Sequence, residues 1–142
     1  MEPVMRYAAE LEMIRKSPDK HRFEPLSEAE LQREAAEGVP EDYLDFLREI
    51  GHGSVGVNGF AFYGGLVEVD EIMGHLYDDE DSRPELKDIL LFGDNYSGDP
   101  VGFLTTDGWA LVEIWHDDDL SVHYREEKSF EEFVKALFAD YA

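Results

Sequence analysis

Between Ile89 and Arg125, apolar and aromatic positions return in four short bursts: Ile89 to Phe92; Val101 and Phe103; Trp109, Leu111, Val112, Ile114 and Trp115; and Leu120, Val122 and Tyr124. The breaks between them read GDNYSGD, TTDG and HDDD. Short strand-forming runs separated by Gly, Asp and Asn turns predict an antiparallel meander of four strands with hairpin connections. The imperfect alternation of the third run predicts a strand with neighbours on both sides and helices over one face.

On either side of this stretch the apolar period lengthens to that of a helix. Tyr7, Leu11 and Ile14 predict an amphipathic helix from Val4 to Lys16 that stops at Ser17-Pro18. Residues 18–25, bracketed by Pro18 and Pro25, are locally basic and predict a connecting loop. Ser27 with Glu30 forms a capping box that opens a second helix, with Gly38 as its closing residue. Pro40 opens a third, Glu41 to Ile50, with Tyr43, Leu44, Leu47 and Ile50 on one face and Gly51 behind it. Residues 51–65 predict tight turns between short strands, residues 66–76 a strand running into a helical turn, and the acidic run that follows a solvated loop. A second capping box, Ser129 with Glu132, opens a final helix whose Phe130, Phe133, Val134, Leu137, Phe138 and Tyr141 must be buried against the sheet. The fold class expected is α+β: one domain over residues 1–142, with a curved, mostly antiparallel sheet and the N-terminal helices and C-terminal helix packed on it.

Charge changes the picture more than size does. At 142 residues the chain is long enough for one self-sufficient core, and with no cysteine it has neither disulfides nor thiol chemistry. Thirty-four Asp and Glu face 12 Lys and Arg, a net charge of −22. Residues 1–67 hold net −6 and residues 68–142 net −16. Such a field repels phosphate backbones and anionic lipid and favours a basic protein partner; on charge alone, a surface that merely keeps the protein soluble is the simpler reading. The opening residues lack the pattern of a secretory signal and no run reaches the length of a membrane span, so a cytoplasmic protein is expected.

Candidate chemistry is sparse. Gly51, Gly53 and Gly56 fit G-x-G-x-x-G, but a helix precedes them and an aromatic hairpin follows, the reverse of a dinucleotide fingerprint. Ser54 has no nucleophile elbow around it. The five histidines show no metal-ligand spacing. In residues 94–99 the alternate positions Asp94, Tyr96 and Gly98 do not make a calcium loop, and Thr105 stands where its twelfth-position Glu would be. Asp94 and Asp99 as an acid/base pair carry no weight among so many carboxylates. No cofactor, metal or catalytic residue is expected.

Taken together, Val39-Pro40-Glu41-Asp42-Tyr43-Leu44-Asp45-Phe46-Leu47 with Gly51 behind it, Gly93-Asp94 and Gly98-Asp99, Trp115-His116-Asp117 after a strand, and Ser129-Phe130-Glu131-Glu132-Phe133 resemble the SUKH superfamily over about residues 27–138, with residues 1–26 an addition. The resemblance implies an α+β domain of the kind that in bacteria serves mainly as an immunity protein, binding and blocking a cognate toxin that is often a nuclease. A fungal branch regulates cell-wall synthesis. Charge and resemblance converge on a non-catalytic, toxin-binding protein. The expected contact residues are Asp78, Asp79, Glu80, Asp81, Asp94, Asn95, Tyr96, Asp99, Asp117, Asp118 and Asp119. The alternatives are a constitutive regulatory or scaffold domain and a carboxylate-based hydrolase.

Overall fold

A computed structural model describes residues 6–35, 38–56, 59–73 and 84–141. The described elements run α1 (Ala8–Lys16), β1 (Arg22–Glu24), α2 (Glu28–Glu34), α3 (Glu41–Glu49), β2 (His52–Val55), β3 (Phe60–Glu68), α4 (Val69–Met73), a 3₁₀ turn at Pro84–Leu86, β4 (Ile89–Asp94), β5 (Pro100–Leu104), β6 (Ala110–Trp115), β7 (Ser121–Tyr124) and α5 (Phe130–Asp140). The seven strands lie in sequence order in one open antiparallel sheet. The expected α+β class and the four-strand meander, now β4 to β7, are therefore present.

The sheet extends further toward the N-terminus than the pattern indicates. Residues 18–25 are not simply a loop, because Arg22, Phe23 and Glu24 pair with Ser54, Gly53 and His52. Gly51 makes the approach possible. Its φ is +104°, and a Cβ there would sit 2.0 Å from the Glu24 carbonyl oxygen. The literal G-x-G-x-x-G run is thus a strand and its turns, with β2 occupying residues 52–55.

Helix α2 is opened by the full capping box: Ser27 Oγ accepts from Glu30 N at 3.3 Å and Glu30 Oε1 from Ser27 N at 3.1 Å. It closes at Ala35, before Gly38. Ser129 Oγ caps α5 by accepting from Glu132 N, but the Glu132 carboxylate reaches Lys128 N instead of completing the box.

Two cores result, one on each face of the sheet. On the larger, helices α1, α2, α3 and α5 cover Val55, Phe60, Phe62, Phe92, Val101, Phe103 and Leu111. Phe92 lies 4.9 Å from Phe130, 5.2 Å from Phe103 and 5.3 Å from Phe133, with steep angles that suit ring quadrupoles. Phe46, which the helical stripe left out, is fully buried because Tyr7, just ahead of α1, and Phe62 of the sheet press on it from two sides. The opposite face is not bare. Val69 and Met73 of α4, Leu86 and Leu120 close over Ile89, Leu91, Val112 and Ile114.

The first helix is bolted to the rest by polar contacts. Tyr7 is fully buried, donates its hydroxyl to Asp42 O at 2.7 Å and its N–H to Glu49 at 2.8 Å. Arg6 bridges Asp45 and Glu131, and Lys135 meets the buried Glu10 at 2.9 Å. No described helix is long and apolar enough to cross a membrane.

Candidate protein-binding surface

In a sequential meander every second connection falls at the same end of the sheet. The β4–β5 and β6–β7 turns therefore share an end, with residues 94–99 and 116–120 side by side.

The first turn is organised by its own side chains. Asp94 Oδ1 accepts from Tyr96 N at 2.9 Å and Asp94 Oδ2 from the Tyr63 hydroxyl at 2.7 Å. Asn95 Oδ1 accepts from Ser97 N at 2.9 Å and Asp99 N at 3.2 Å. These Asx bonds hold Tyr96 at φ +65° with its ring 51% exposed. The same bonds direct the Asp94 and Asn95 oxygens onto the loop's own donors, away from the inward geometry of a calcium cage.

In the second turn, Asp119 and Leu120 have φ of +53° and +57°, and Ser121 N donates to Asp118 O at 3.0 Å. Two consecutive left-handed residues make the mirror-image turn that suits strand twist, at a cost of about 1–2 kcal/mol per residue without glycine. Leu120 offsets this because its side chain is buried in the second core, a gain of about 1.5–3 kcal/mol. Asp117, Asp118 and Asp119 are thereby held exposed above an apolar anchor.

Asp99 and His116 join the two turns. Asp99 Oδ1 accepts from His116 N at 3.0 Å and lies 2.7 Å from His116 Nδ1. Partial burial pushes the Asp99 carboxyl up, but its hydrogen bonds with His116 outweigh that and hold it below its ordinary value. The hydrogen bond to Asp99 raises the His116 pKa against a small desolvation effect.

Asp94, Asn95, Tyr96, Asp99, Asp117, Asp118 and Asp119 thus form one rim. Asp78, Asp79, Glu80 and Asp81 lie outside the described residues; the connection containing them leaves β3 and enters β4 at the opposite end of the sheet. No Lys or Arg occurs between Asp88 and Tyr124. Elsewhere, Arg6, Arg48 and Lys135 pair within the helical layer, and Arg125 pairs with Glu113 and Glu127.

One rim aromatic escaped the sequence reading. Trp115 is 38% exposed and stacks on His123 at 3.5 Å. The signal was parity: Val112 and Ile114 enter the second core, so Trp115 shares a face with the charged Glu113, where the helices no longer cover β6.

Two arrangements near the rim invite chemical readings. Ser121 Oγ is 2.8 Å from His123 Nε2 and donates to Asp118 Oδ2 at 2.8 Å, while Asp118 is 3.9 Å from that same nitrogen. A triad places its acid on the other ring nitrogen, so this carboxylate does not set the histidine tautomer for general-base work. Asp99, His116 and Asp117 have ligand atoms within 4.8 Å of one another, an open cluster that could hold a metal ion.

A family model for the SMI1/KNR4 family (SUKH-1) matches residues 25–136. No curated protein matches the chain significantly. With most of its length matched, the chain belongs to the SMI1/KNR4 (SUKH-1) family, and α1 lies outside the matched region.

Proposed function

We propose that this SUKH-1 domain is a non-catalytic immunity protein that neutralises a cognate basic toxin, a nuclease in particular, by filling the toxin's cationic groove with the rim. The observation that carries the reading is the convergence of Asp94, Asp99 and Asp117 to Asp119 at one end of the sheet, where Tyr96 and Trp115 stand exposed beside them. A nuclease must present positive charge to its phosphodiester substrate. An inhibitor whose carboxylates are already fixed gains steered association and charge-assisted hydrogen bonds without an ordering cost. Exposed aromatics flanking charge are the usual anchors of such interfaces.

The test is co-expression with the product of the adjacent gene, followed by association kinetics at low and high salt. The wild-type domain captures that product. Reversal of Asp117, Asp118 and Asp119 to Lys slows association at least tenfold at low salt, and the difference shrinks as salt rises. Unchanged kinetics at low salt would remove the rim from the interface. Capture of a housekeeping protein instead of the neighbour's product would overturn the immunity role in favour of a regulatory one.

A further inference from the structure

At the end of the sheet opposite the rim there is an open groove of about 690 Å³, lined by Glu34, Leu66, Glu68, Leu90 and Trp109 among others. An irregularity in β3 builds its floor. Where β4 supplies the single residue Phe92, β3 runs Tyr63-Gly64-Gly65-Leu66, and Glu34 enters this bulge so that its Oε1 accepts from Leu66 N at 2.8 Å. Gly65 makes room, since a Cβ there would lie 2.6 Å from the Glu34 carboxylate.

The lining is mostly acceptor. Glu34, Glu68 and Glu71 face the groove with one cation, Arg33. Arg33 turns its Nε back to Ala29 O at 3.4 Å and makes no ion pair with these three among the described residues. The Glu68 carboxylate likewise has no hydrogen bond or ion pair among the described residues.

An independent observation lies behind the wall. The Tyr43 hydroxyl, on a side chain only 1% exposed, has no hydrogen-bond partner. Its ring packs on Phe103 at 5.7 Å, the ring that Trp109 meets at 5.6 Å. After burial, the charge that acts on its phenol is Glu34 of the groove.

We propose that this groove is a second protein-binding site, taking an arginine side chain of a partner protein: the guanidinium lies on the Trp109 indole and bonds Glu68 and Glu71, and its methylene stem lies on Leu66 and Leu90. A guanidinium offers five donors and no acceptor, so it fits a wall of carboxylates whose remaining oxygens can each accept again. Its flat, weakly hydrated face suits an indole better than an ammonium does. Anionic ligands are refused by the same carboxylates. The proposal does not depend on the rim reading, because the two sites share no residue.

The test is a titration of the ¹⁵N-labelled protein with Ac-Gly-Arg-Gly-NH₂, read at the two indole N–H resonances. The Trp109 resonance shifts saturably and the Trp115 resonance does not. The neutral citrulline peptide binds at least tenfold more weakly. Glu68→Gln with Glu71→Gln weakens binding at least tenfold, whereas Asp117→Asn with Asp118→Asn, the same change of charge at the rim, leaves it within twofold. Because Glu71 also accepts from Glu68 N at the start of α4, Trp109→Leu provides a second arm with the carboxylates intact. Read at the Leu66 and Thr105 amides, it loses the preference for the arginine peptide over its lysine counterpart. Absence of a saturable shift, or equal weakening by the groove and rim pairs, overturns the site and leaves only the bulk field of an acidic chain.

Discussion

The helix-covered face of the sheet and the rim at its end are made of opposite materials. On the face, Phe60, Phe62, Phe92, Phe103, Phe130 and Phe133 interlock with at most 4% exposure each. On the rim, carboxylates project from two left-handed turns and accept hydrogen bonds from Tyr63, His116, Ser121 and the backbone. One region supplies stability through burial and close packing. The other spends a little stability to hold charge in place, and Leu120 is where they meet, its backbone in the strained turn and its side chain in the second core.

The largest effect that sharpens this division is expected in the core. Phe92→Ala removes a ring packed against Tyr43, Phe60, Phe62, Phe103, Phe130 and Phe133. It should cost about 3–5 kcal/mol in urea unfolding. A cost under about 1 kcal/mol would mean that the aromatic layer is not the stabilising element. A smaller effect is expected from neutralising the rim. Asp117→Asn, Asp118→Asn and Asp119→Asn should each change stability by no more than about 0.5 kcal/mol, with relief of like-charge repulsion offsetting lost contacts such as the Ser121–Asp118 bond. A loss of several kcal/mol from the three together would show that the acidic turn is structural and would break the comparison.

This division also explains what could be read from the chain and what could not. The meander was legible because its signals are local: short runs of strand-forming residues, and turns such as Asp107-Gly108 that announce themselves. That residues 94–99 and 117–119 meet follows from counting strands. β1 was hidden because its pairing depends on Gly51, 27 positions beyond Glu24, and nothing within residues 18–25 themselves announces a strand. The second core was hidden because α4 is only five residues long, too short for a helical period to show. The groove at the β3 bulge could not be read at all, since it needs Glu34 of α2 to meet Leu66 across 32 residues of sequence.

The smallest and most discriminating effect is in pH, where a histidine of each region responds with opposite sign. His21, 3% exposed, accepts from Gly56 N through Nδ1, and desolvation together with Lys20 lowers its pKa. The fold favours its neutral form, so its contribution is complete above about pH 6.5 and falls as pH drops toward its lowered value. His116 has a raised pKa, so the folded state favours its charged form. That contribution is complete below about pH 6.5 and is lost as pH rises through the raised value. Asp99, held below its ordinary value, keeps its share above about pH 4 and loses it as pH falls through the lowered value. The two turns of the rim are therefore pinned most firmly between about pH 4 and 6.5, while acidification within that window weakens the His21 contact. Ring ¹⁵N shifts followed through a pH titration check both signs. In Asp99→Asn the His116 titration should move down toward the ordinary histidine value and amide exchange at residues 95–99 should quicken, with His21 unmoved. A His116 titration unaffected by that substitution would show that the two turns are not coupled through this pair.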